Sequence, residues 1–149
     1  MSTALHLARP DDLARLLPLV EACHSEAGIL LDDAARMAAV APLLEGTPLG
    51  AVYLIGPARA PVGYVVLAFG WSVELGGMDA YVDELYIRPP VRRRGMGSDA
   101  LTALGGALGE AGVRAFHLKA DETSPEIRAF YQRAGFAPRG GYMLVTRKL

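Results

Sequence analysis

Residues 83–98 have the sequence Asp83-Glu-Leu-Tyr-Ile-Arg-Pro-Pro-Val-Arg-Arg-Arg-Gly-Met-Gly-Ser98, and they decide the fold of this chain. The β-branched and aromatic residues that lead into this stretch predict a strand, which stops at Arg88-Pro89-Pro90. From Gly97 to about Leu108 the apolar positions predict a helix packed on a sheet. Unpaired N–H groups and the positive end of a helix dipole point out of such a turn, and arginines add charge-assisted donors. The turn is therefore predicted to bind an anion.

Two common phosphate loops do not match this turn. Position 100 is alanine, so Gly95-x-Gly97 lacks the third glycine of a dinucleotide fingerprint, and the chain has no G-x-x-x-x-G-K-[ST] motif. Taken alone, the segment is equally consistent with solvated arginines and a plain helix-entry turn.

Outside this stretch, hydrophobic period and turn residues predict a series of further elements. Upstream they are a short strand over 4–8, a helix from 13 to between 22 and 26, a helix from Asp32 or Asp33 to Leu44, and strands over 51–55, 62–69 and 80–87. Downstream they are a strand over 113–120, a helix over 125–134 and a last strand over 141–146. Gly105 and Gly106 weaken the predicted helix after the turn. They either permit close backbone packing or end the helix early. The order predicts one α/β (α+β) domain over residues 1–149 with a mixed sheet.

Composition limits the classes of function. The 149 residues are 52% hydrophobic, which is ample for one core, and the net charge of −1 argues against a nucleic-acid-binding domain. We find neither a secretory signal nor a run of eighteen apolar residues, so a cytoplasmic protein with no membrane partner is expected. One cysteine, Cys23, and three scattered histidines predict no internal disulfide and no metal site, with Cys23 as a small buried residue.

Two segments carry a family resemblance. Arg92-x-x-Gly95-x-Gly97, preceded by Leu85-Tyr-Ile-x-Pro89, resembles the pyrophosphate signature of GNAT acetyltransferases. The segment 125–136, in which Tyr131 precedes Gly135-Phe136 by four residues, is similar to the late helix of that family. Together they cover roughly residues 80–137. The resemblance implies a twisted, mostly antiparallel sheet with splayed central strands between helices, and an N-acetyltransferase that uses acetyl-CoA and no metal.

The resemblance also implies roles for particular residues on the acetyl-CoA side. The strand residues before the turn would pair their backbone with the pantetheine arm, and the turn would hold the pyrophosphate, with Arg92 at the Arg/Gln position of the family. The implied cofactor-binding residues are Leu85, Tyr86, Ile87, Arg92, Arg93, Arg94, Gly95, Met96, Gly97, Ser98 and Ser124. Ser124 stands where many members carry asparagine, which puts one contact to the CoA arm in doubt.

Three residues are candidates for catalysis. Tyr131 matches the tyrosine that protonates the departing CoA thiolate, and its alternative is a core aromatic beside Phe130 and Phe136. An attacking amine must lose a proton, and Asp83 and Glu84 are the obvious acceptors. Neighbouring strand residues face opposite sides, so at most one of the two is expected to point into the acceptor site unless a bulge re-aims the other. Similar polyamine acetyltransferases have acids at both positions; a structural salt bridge is the alternative for either.

The acceptor is the least determined part of the prediction. The regions that line the acceptor pocket in the family supply Glu21, His24, Glu26, Asp32, Trp71, Glu74, Asp79 and Tyr142, which suit a small cationic amine or are ordinary surface residues. Lys119 replaces the glutamate base of N-terminal protein acetyltransferases, which disfavours a protein substrate.

Other functions stay open at this point. They are a protein lysine or N-terminal acetyltransferase, a non-catalytic acyl-CoA-binding regulatory domain and, from the 88–94 arginine cluster, a nucleic-acid-binding module. The family often forms homodimers through terminal strands, although nothing in 140–149 requires it.

Overall fold

The computed structural model describes residues 3–149. Its strands and helices form an α/β fold. In order they are β1 (Leu5–Leu7), α1 (Leu13–Ala27), α2 (Asp33–Val40), β2 (Gly50–Ile55), β3 (Gly63–Ser72), β4 (Gly77–Ile87), α3 (Met96–Glu110), β5 (Ala115–Leu118) and α4 (Pro125–Arg133). Short 3₁₀ turns at Pro10–Asp12, Ala41–Leu44 and Pro89–Val91 join some of them.

The five strands form one mixed sheet in the order β1-β2-β3-β4-β5. The first four are antiparallel neighbours, whereas β5 runs parallel to β4. A parallel neighbour needs a crossover, and α3 provides it. The crossover starts in the arginine turn, so the turn lies at the carboxyl end of β4.

Helices cover both faces of the sheet. Successive residues of β3 point to opposite sides, as the period of a strand requires: Tyr64 and Val66 pack with Leu16 and Leu19 of α1. Val65 and Leu67 pack with Leu101 and Leu104 of α3 and, at the edge, with Phe130 of α4. The α1–α2 layer and the α3–α4 layer therefore enclose two apolar cores.

Local signals set most of the helix ends. Helix α1 ends at Gly28, whose φ of 71° lies in the left-handed region. The Asp32 carboxylate accepts the Ala35 N–H at 2.7 Å and caps α2. Helix α3 continues through Gly105 and Gly106 to Glu110, so those glycines do not end it early. The burial of Leu101 and Leu104 outweighs their weak helix propensity.

The prediction of a last strand over 141–146 is wrong for this structure. Residues 142–149 have no secondary structure, and Tyr142, Met143, Leu144 and Val145 are 71–83% exposed. A strand forms only where a neighbour accepts its backbone hydrogen bonds, and this segment pairs with none of the described strands. Within residues 3–149, no helix is long and apolar enough to cross a membrane.

Candidate functional site

The arginine turn presents unpaired backbone donors at the start of α3. Gly95 is the N-cap of the helix with φ 80°, and the helix ladder starts with the bond from Asp99 N–H to the Gly95 carbonyl, 2.9 Å. The N–H groups of Met96, Gly97 and Ser98 therefore precede the ladder and are free for a ligand. Arg93 has φ 65°, a strained value for a residue with a side chain. Such strain is common in ligand-binding turns.

The three arginines of the turn differ in their contacts. Arg93 and Arg94 are exposed and have no carboxylate partner among the residues described. The Arg92 guanidinium donates two bonds to Glu26 of α1, at 2.8 and 2.7 Å, and one to the Ile87 carbonyl at 2.7 Å. This bidentate pair raises the pKa of Arg92 and lowers that of Glu26. Arg92 thus fastens α1 to the end of β4, while Arg93 and Arg94 face solvent.

Strand β4 separates from β5 just before the turn. The parallel pairing ends at Val82 and Leu118, although β4 continues for five more residues to Ile87. On its other side, β4 stays paired with β3 up to Gly63 and Ile87. Residues 85–87 therefore have one backbone edge that β5 does not cover. That edge leads directly into the arginine turn, so an extended ligand lying along it would place its end at the start of α3.

A β-bulge decides where the two adjacent carboxylates point. Val66 pairs with Glu84 and Leu67 pairs with Val82, so Asp83 is the extra residue of β4. Val82 packs in the core below α3, whereas Glu84, two positions later, contacts α1 on the opposite face. A regular strand would place both on one face. Asp83 is exposed and makes no hydrogen bond with a described residue.

Glu84 lies in a small polar network under α1. Its Oε1 accepts the Tyr64 hydroxyl at 2.8 Å, and its Oε2 lies 2.7 Å from His24 Nε2. Because an ionised carboxylate only accepts, Nε2 carries the ring proton in this bond. His24 Nδ1 is buried and has no partner among residues 3–149. The Glu84 side chain keeps 22% exposure, so it links the buried network to solvent.

Tyr64 and Cys23 complete this network. Burial, reinforced by Cys23 and by the Glu84 carboxylate, raises the pKa of Tyr64 far above its usual range. Burial also raises the pKa of the Cys23 thiol. Sequence reasoning placed neither residue in a site, and Cys23 is half-buried rather than fully enclosed. The one available signal was a tyrosine inside an apolar strand, because a buried hydroxyl needs a partner.

Helix α4 holds the other two predicted residues. Ser124 is its N-cap, and its hydroxyl accepts the Ile127 N–H at 3.3 Å. Tyr131 is 8% exposed, and its hydroxyl makes no hydrogen bond with a described residue. Phe130 anchors this helix against Gly97, where an added Cβ would lie 3.0 Å from the ring. The start of α3 and the Tyr131 helix are thus packed directly together.

The predicted acceptor residues do not form one cluster. His24 and Glu26 lie beside Glu84 and Arg92, and Glu21 lines a small hollow of about 250 Å³ near the end of α1. Asp32 caps α2 close by. The rest lie toward the other end of the sheet: Trp71 is exposed, Glu74 pairs with Arg139, buried Asp79 lies 3.3 Å from His117, and Tyr142 is near Arg139. Among the described residues, no group of three or more His, Cys, Asp or Glu could hold a metal ion.

Comparison with known proteins agrees with this geometry. The family model described as the acetyltransferase (GNAT) family matches residues 19–136. A search of curated proteins finds no match.

Solved structures share the fold. An integron cassette protein from the mobile metagenome of the Cole Harbour Salt Marsh is 34% identical, with a TM-score of 0.83 over 97% of this chain and 90% of that one. An aminoglycoside acetyltransferase from an uncultured soil metagenomic sample, in complex with sisomicin, is 16% identical, with a TM-score of 0.78 over 98% and 97%. A ribosomal-protein-alanine N-acetyltransferase from Brucella melitensis is 17% identical, with a TM-score of 0.77 over 99% and 100%. With the family model spanning 19–136, the chain belongs to the GNAT family of acetyltransferases, which use acetyl-CoA as the donor.

Proposed function

We propose that this chain transfers an acetyl group from acetyl-CoA to the primary amine of a small cationic molecule, with both substrates bound at once. The observation that carries the proposal is β4 itself. Its free edge at 85–87 leads into an anion-binding turn, and the same strand carries Asp83 and Glu84 at its bulge. The proposed acetyl-CoA site and the candidate proton acceptors therefore lie on the same strand.

In this proposal, acetyl-CoA is bound by backbone groups more than by side chains. The N–H groups of Met96, Gly97 and Ser98 and the guanidinium groups of Arg93 and Arg94 are the proposed pyrophosphate ligands. Leu85, Tyr86 and Ile87 pair through their open edge with the pantetheine arm, as the family resemblance implies. Acetyl-CoA supplies a thioester carbonyl that an uncharged amine can attack. Arg92 supports the turn through Glu26, and Ser124 contributes its hydroxyl hydrogen.

Glu84 is the proposed acceptor of the amine proton. Two donors fix its carboxylate, and the remaining exposure lets it exchange protons with water at the site. Exposed Asp83 has no partner, so its proposed role is to attract the cationic acceptor. Glu84→Gln is expected to lower kcat with little change in the KM for acetyl-CoA, whereas Asp83→Asn should mainly raise the KM for the amine. The opposite pattern would exchange the two roles.

Tyr131 is the proposed donor of a proton to the CoA sulfur. It is held by α4, and its hydroxyl is uncommitted, which suits a group that must donate. Tyr131→Phe keeps the ring and removes only the hydroxyl. General acid catalysis is typically worth about 10²–10⁴ in rate, so a loss of this size in kcat with unchanged acetyl-CoA affinity is expected. An unchanged kcat would leave Tyr131 as a packing residue.

The proposed acceptor is a small amine because acidic side chains surround the α1–α2 end of the site. Glu21 lines the hollow near the end of α1, Asp32 caps α2 close by, and Glu26 contributes charge beside Arg92. The structural neighbour crystallised with sisomicin fits this class, whereas the neighbour acting on ribosomal-protein alanine points to a peptide. Lys119, at a position where N-terminal acetyltransferases have an acid, favours the small amine.

Calorimetric titration with acetyl-CoA tests the donor side first. Wild type is expected to bind in the micromolar range, and the Arg94→Glu, Gly95→Glu double variant should not bind. Arg9→Glu is the matched control, because Arg9 is exposed at the opposite end of the sheet. A thiol-release assay over polyamines, aminoglycosides and peptides with free N-termini then identifies the acceptor. Absence of acetyl-CoA binding by wild type would refute the proposal.

A further inference from the structure

One face of the sheet is uncovered beyond the α1–α2 layer. Val66 of β3 is buried in the core under α1, but Ala68 and Gly70, the next residues of β3 on that face, are exposed. The helical layer therefore ends near Val66. Beyond it the floor of the sheet carries only small side chains on β3, and the residues of β4 that pair with them are Tyr81 and Asp79.

Tyr81 lies at the centre of this open face. Its cross-strand neighbours are Ala68 of β3 and His117 of β5. The rings of Tyr81 and His117 lie against each other, with centroids 4.5 Å apart and planes inclined by 30°. On the other side, alanine is too short to cover the tyrosine, which keeps 46% exposure. One side of the Tyr81 ring is therefore backed by an imidazole, and the other side is open above Ala68.

A buried carboxylate holds the two rings in place. Asp79 Oδ2 lies 3.3 Å from His117 Nε2, and the Asp79 side chain is 6% exposed. Because Asp79 Oδ1 is buried without a partner among residues 3–149, His117 is the group that offsets the buried charge. Gly70 makes room for this carboxylate, since an added Cβ would lie 2.8 Å from Oδ1. Tyr81, His117 and Asp79 thus form a fixed unit, which we call the aromatic platform.

The aromatic platform lies one step along β4 from the proposed proton acceptor. Glu84 pairs with Val66 and Tyr81 pairs with Ala68, so both side chains lie on the α1 face. Residues two apart on a strand are separated by about 7 Å. The bulge residue between them, Asp83, is exposed. A ring that lies against Tyr81 therefore brings an amine on a short arm to Glu84, with the Asp83 carboxylate nearby.

We propose that the aromatic platform binds the ring of a ring-borne primary amine, an amino sugar or an arylalkylamine, and so selects the acceptor. The inference rests on the proposed function, because the platform selects an acceptor only if that amine is acetylated. Flat ring faces pack well against an aromatic side chain, and a glycine inside a strand often marks a close approach of a ligand. A linear diamine has no ring to place above Ala68. Tyr81 is thus a specificity-determining residue.

Proton NMR titrations with CoA present test binding without any transfer. The probes are glucosamine and 2-phenylethylamine, with 1,4-diaminobutane as the linear amine. The Tyr81 ring resonances, assigned by their loss in Tyr81→Ala, should move with at least one ring amine and not with the linear one. The tighter of the two ring amines assigns the acceptor to sugars or to arenes. Ala68→Leu fills the space beside Tyr81 and should weaken this binding at least about tenfold.

Met78→Ala is the matched control for these titrations. It removes a partly exposed side chain from the opposite face of β4, so it should bind the ring amine like wild type. Thermal unfolding verifies that each variant is folded.

Thiol-release kinetics with acetyl-CoA measure the selection itself. Wild type should have a kcat/KM for the ring amine at least about tenfold above that for 1,4-diaminobutane. Tyr81→Ala should abolish this preference through KM, whereas Tyr81→Phe, which keeps the ring, should retain it within about twofold. Tyr81 resonances that no ring amine moves, or a Tyr81→Ala variant that loses ring and linear amines alike, would overturn the proposal. Binding of a ring amine with no transfer by wild type would instead count against the proposed function and not against the platform.

Discussion

Replacing Tyr64 by phenylalanine removes one buried hydroxyl and tests the network that holds Glu84. The Tyr64 side chain is fully enclosed, and its hydroxyl donates to Glu84 Oε1 at 2.8 Å. A hydrogen bond to a charged group contributes about 1.5–3 kcal/mol to stability. The Glu84 side chain is 22% exposed, so water can partly replace the lost donor and the lower figure applies. We expect Tyr64→Phe to lower the free energy of unfolding by about 1.5 kcal/mol.

Urea unfolding and calorimetry measure this change. For a chain of this size, about 1.5 kcal/mol corresponds to a Tm roughly 3–6 °C lower, and the urea midpoint should fall with an unchanged m value. Tyr53→Phe is the matched control, because the Tyr53 hydroxyl makes no hydrogen bond with a described residue. A double-mutant cycle with Glu84→Ala, which removes the acceptor, isolates the pair. Equal stability of Tyr64→Phe and wild type, or a coupling below about 0.5 kcal/mol, would refute the reasoning.

Three further predictions concern single positions. Because the Arg92 guanidinium is engaged by α1, Arg92→Ala should change acetyl-CoA affinity less than about threefold, while Arg94→Ala weakens it about tenfold in the same titration. Gly63→Ala places a Cβ in steric conflict with the Tyr86 carbonyl oxygen of β4 and should lower the free energy of unfolding by more than about 2 kcal/mol. Gly106→Ala meets open space in a helix and should raise the free energy of unfolding, measured in urea, by about 0.5–1 kcal/mol. Burial raises the pKa of Cys23, so its alkylation midpoint should lie at higher pH than in unfolded protein. Stability should also fall above about pH 8.5, because the unfolded thiol loses its proton first.

The sequence was most informative where the signal is local. The strand end at Arg88, the glycine-containing turn and the helix after it are encoded within a few residues of one another, and they lie where the pattern predicted. The family resemblance came from this segment together with 125–136, and the family model over 19–136 confirms it. The two glycines within α3 did not predict where the helix ends. The helix continues through them because its leucines are buried against the sheet.

The carboxylate site could be predicted only in part. Asp83 and Glu84 are adjacent in sequence, but the partners of Glu84 come from positions 24 and 64, and no local spacing reveals such contacts. The sequence allowed a bulge near these two residues without predicting one. The pairing of β4 with β3 determines that the bulge is at Asp83. The predicted last strand failed for the same reason: β-propensity in 141–146 is real, yet a strand requires a neighbouring edge.

The bulge at Asp83 affects both the packing of β4 in the core and the side of the sheet on which Glu84 lies. Before it, Val82 closes the core below α3 and still pairs with Leu118 of β5. After it, Glu84 faces α1 and the pairing with β5 has ended. A regular strand could keep the upstream core only by placing the carboxylate against that core, where an unpaired charge is costly. The extra residue therefore lets one strand seal the core and present an acid to the opposite face, next to the edge at which we propose that acetyl-CoA binds.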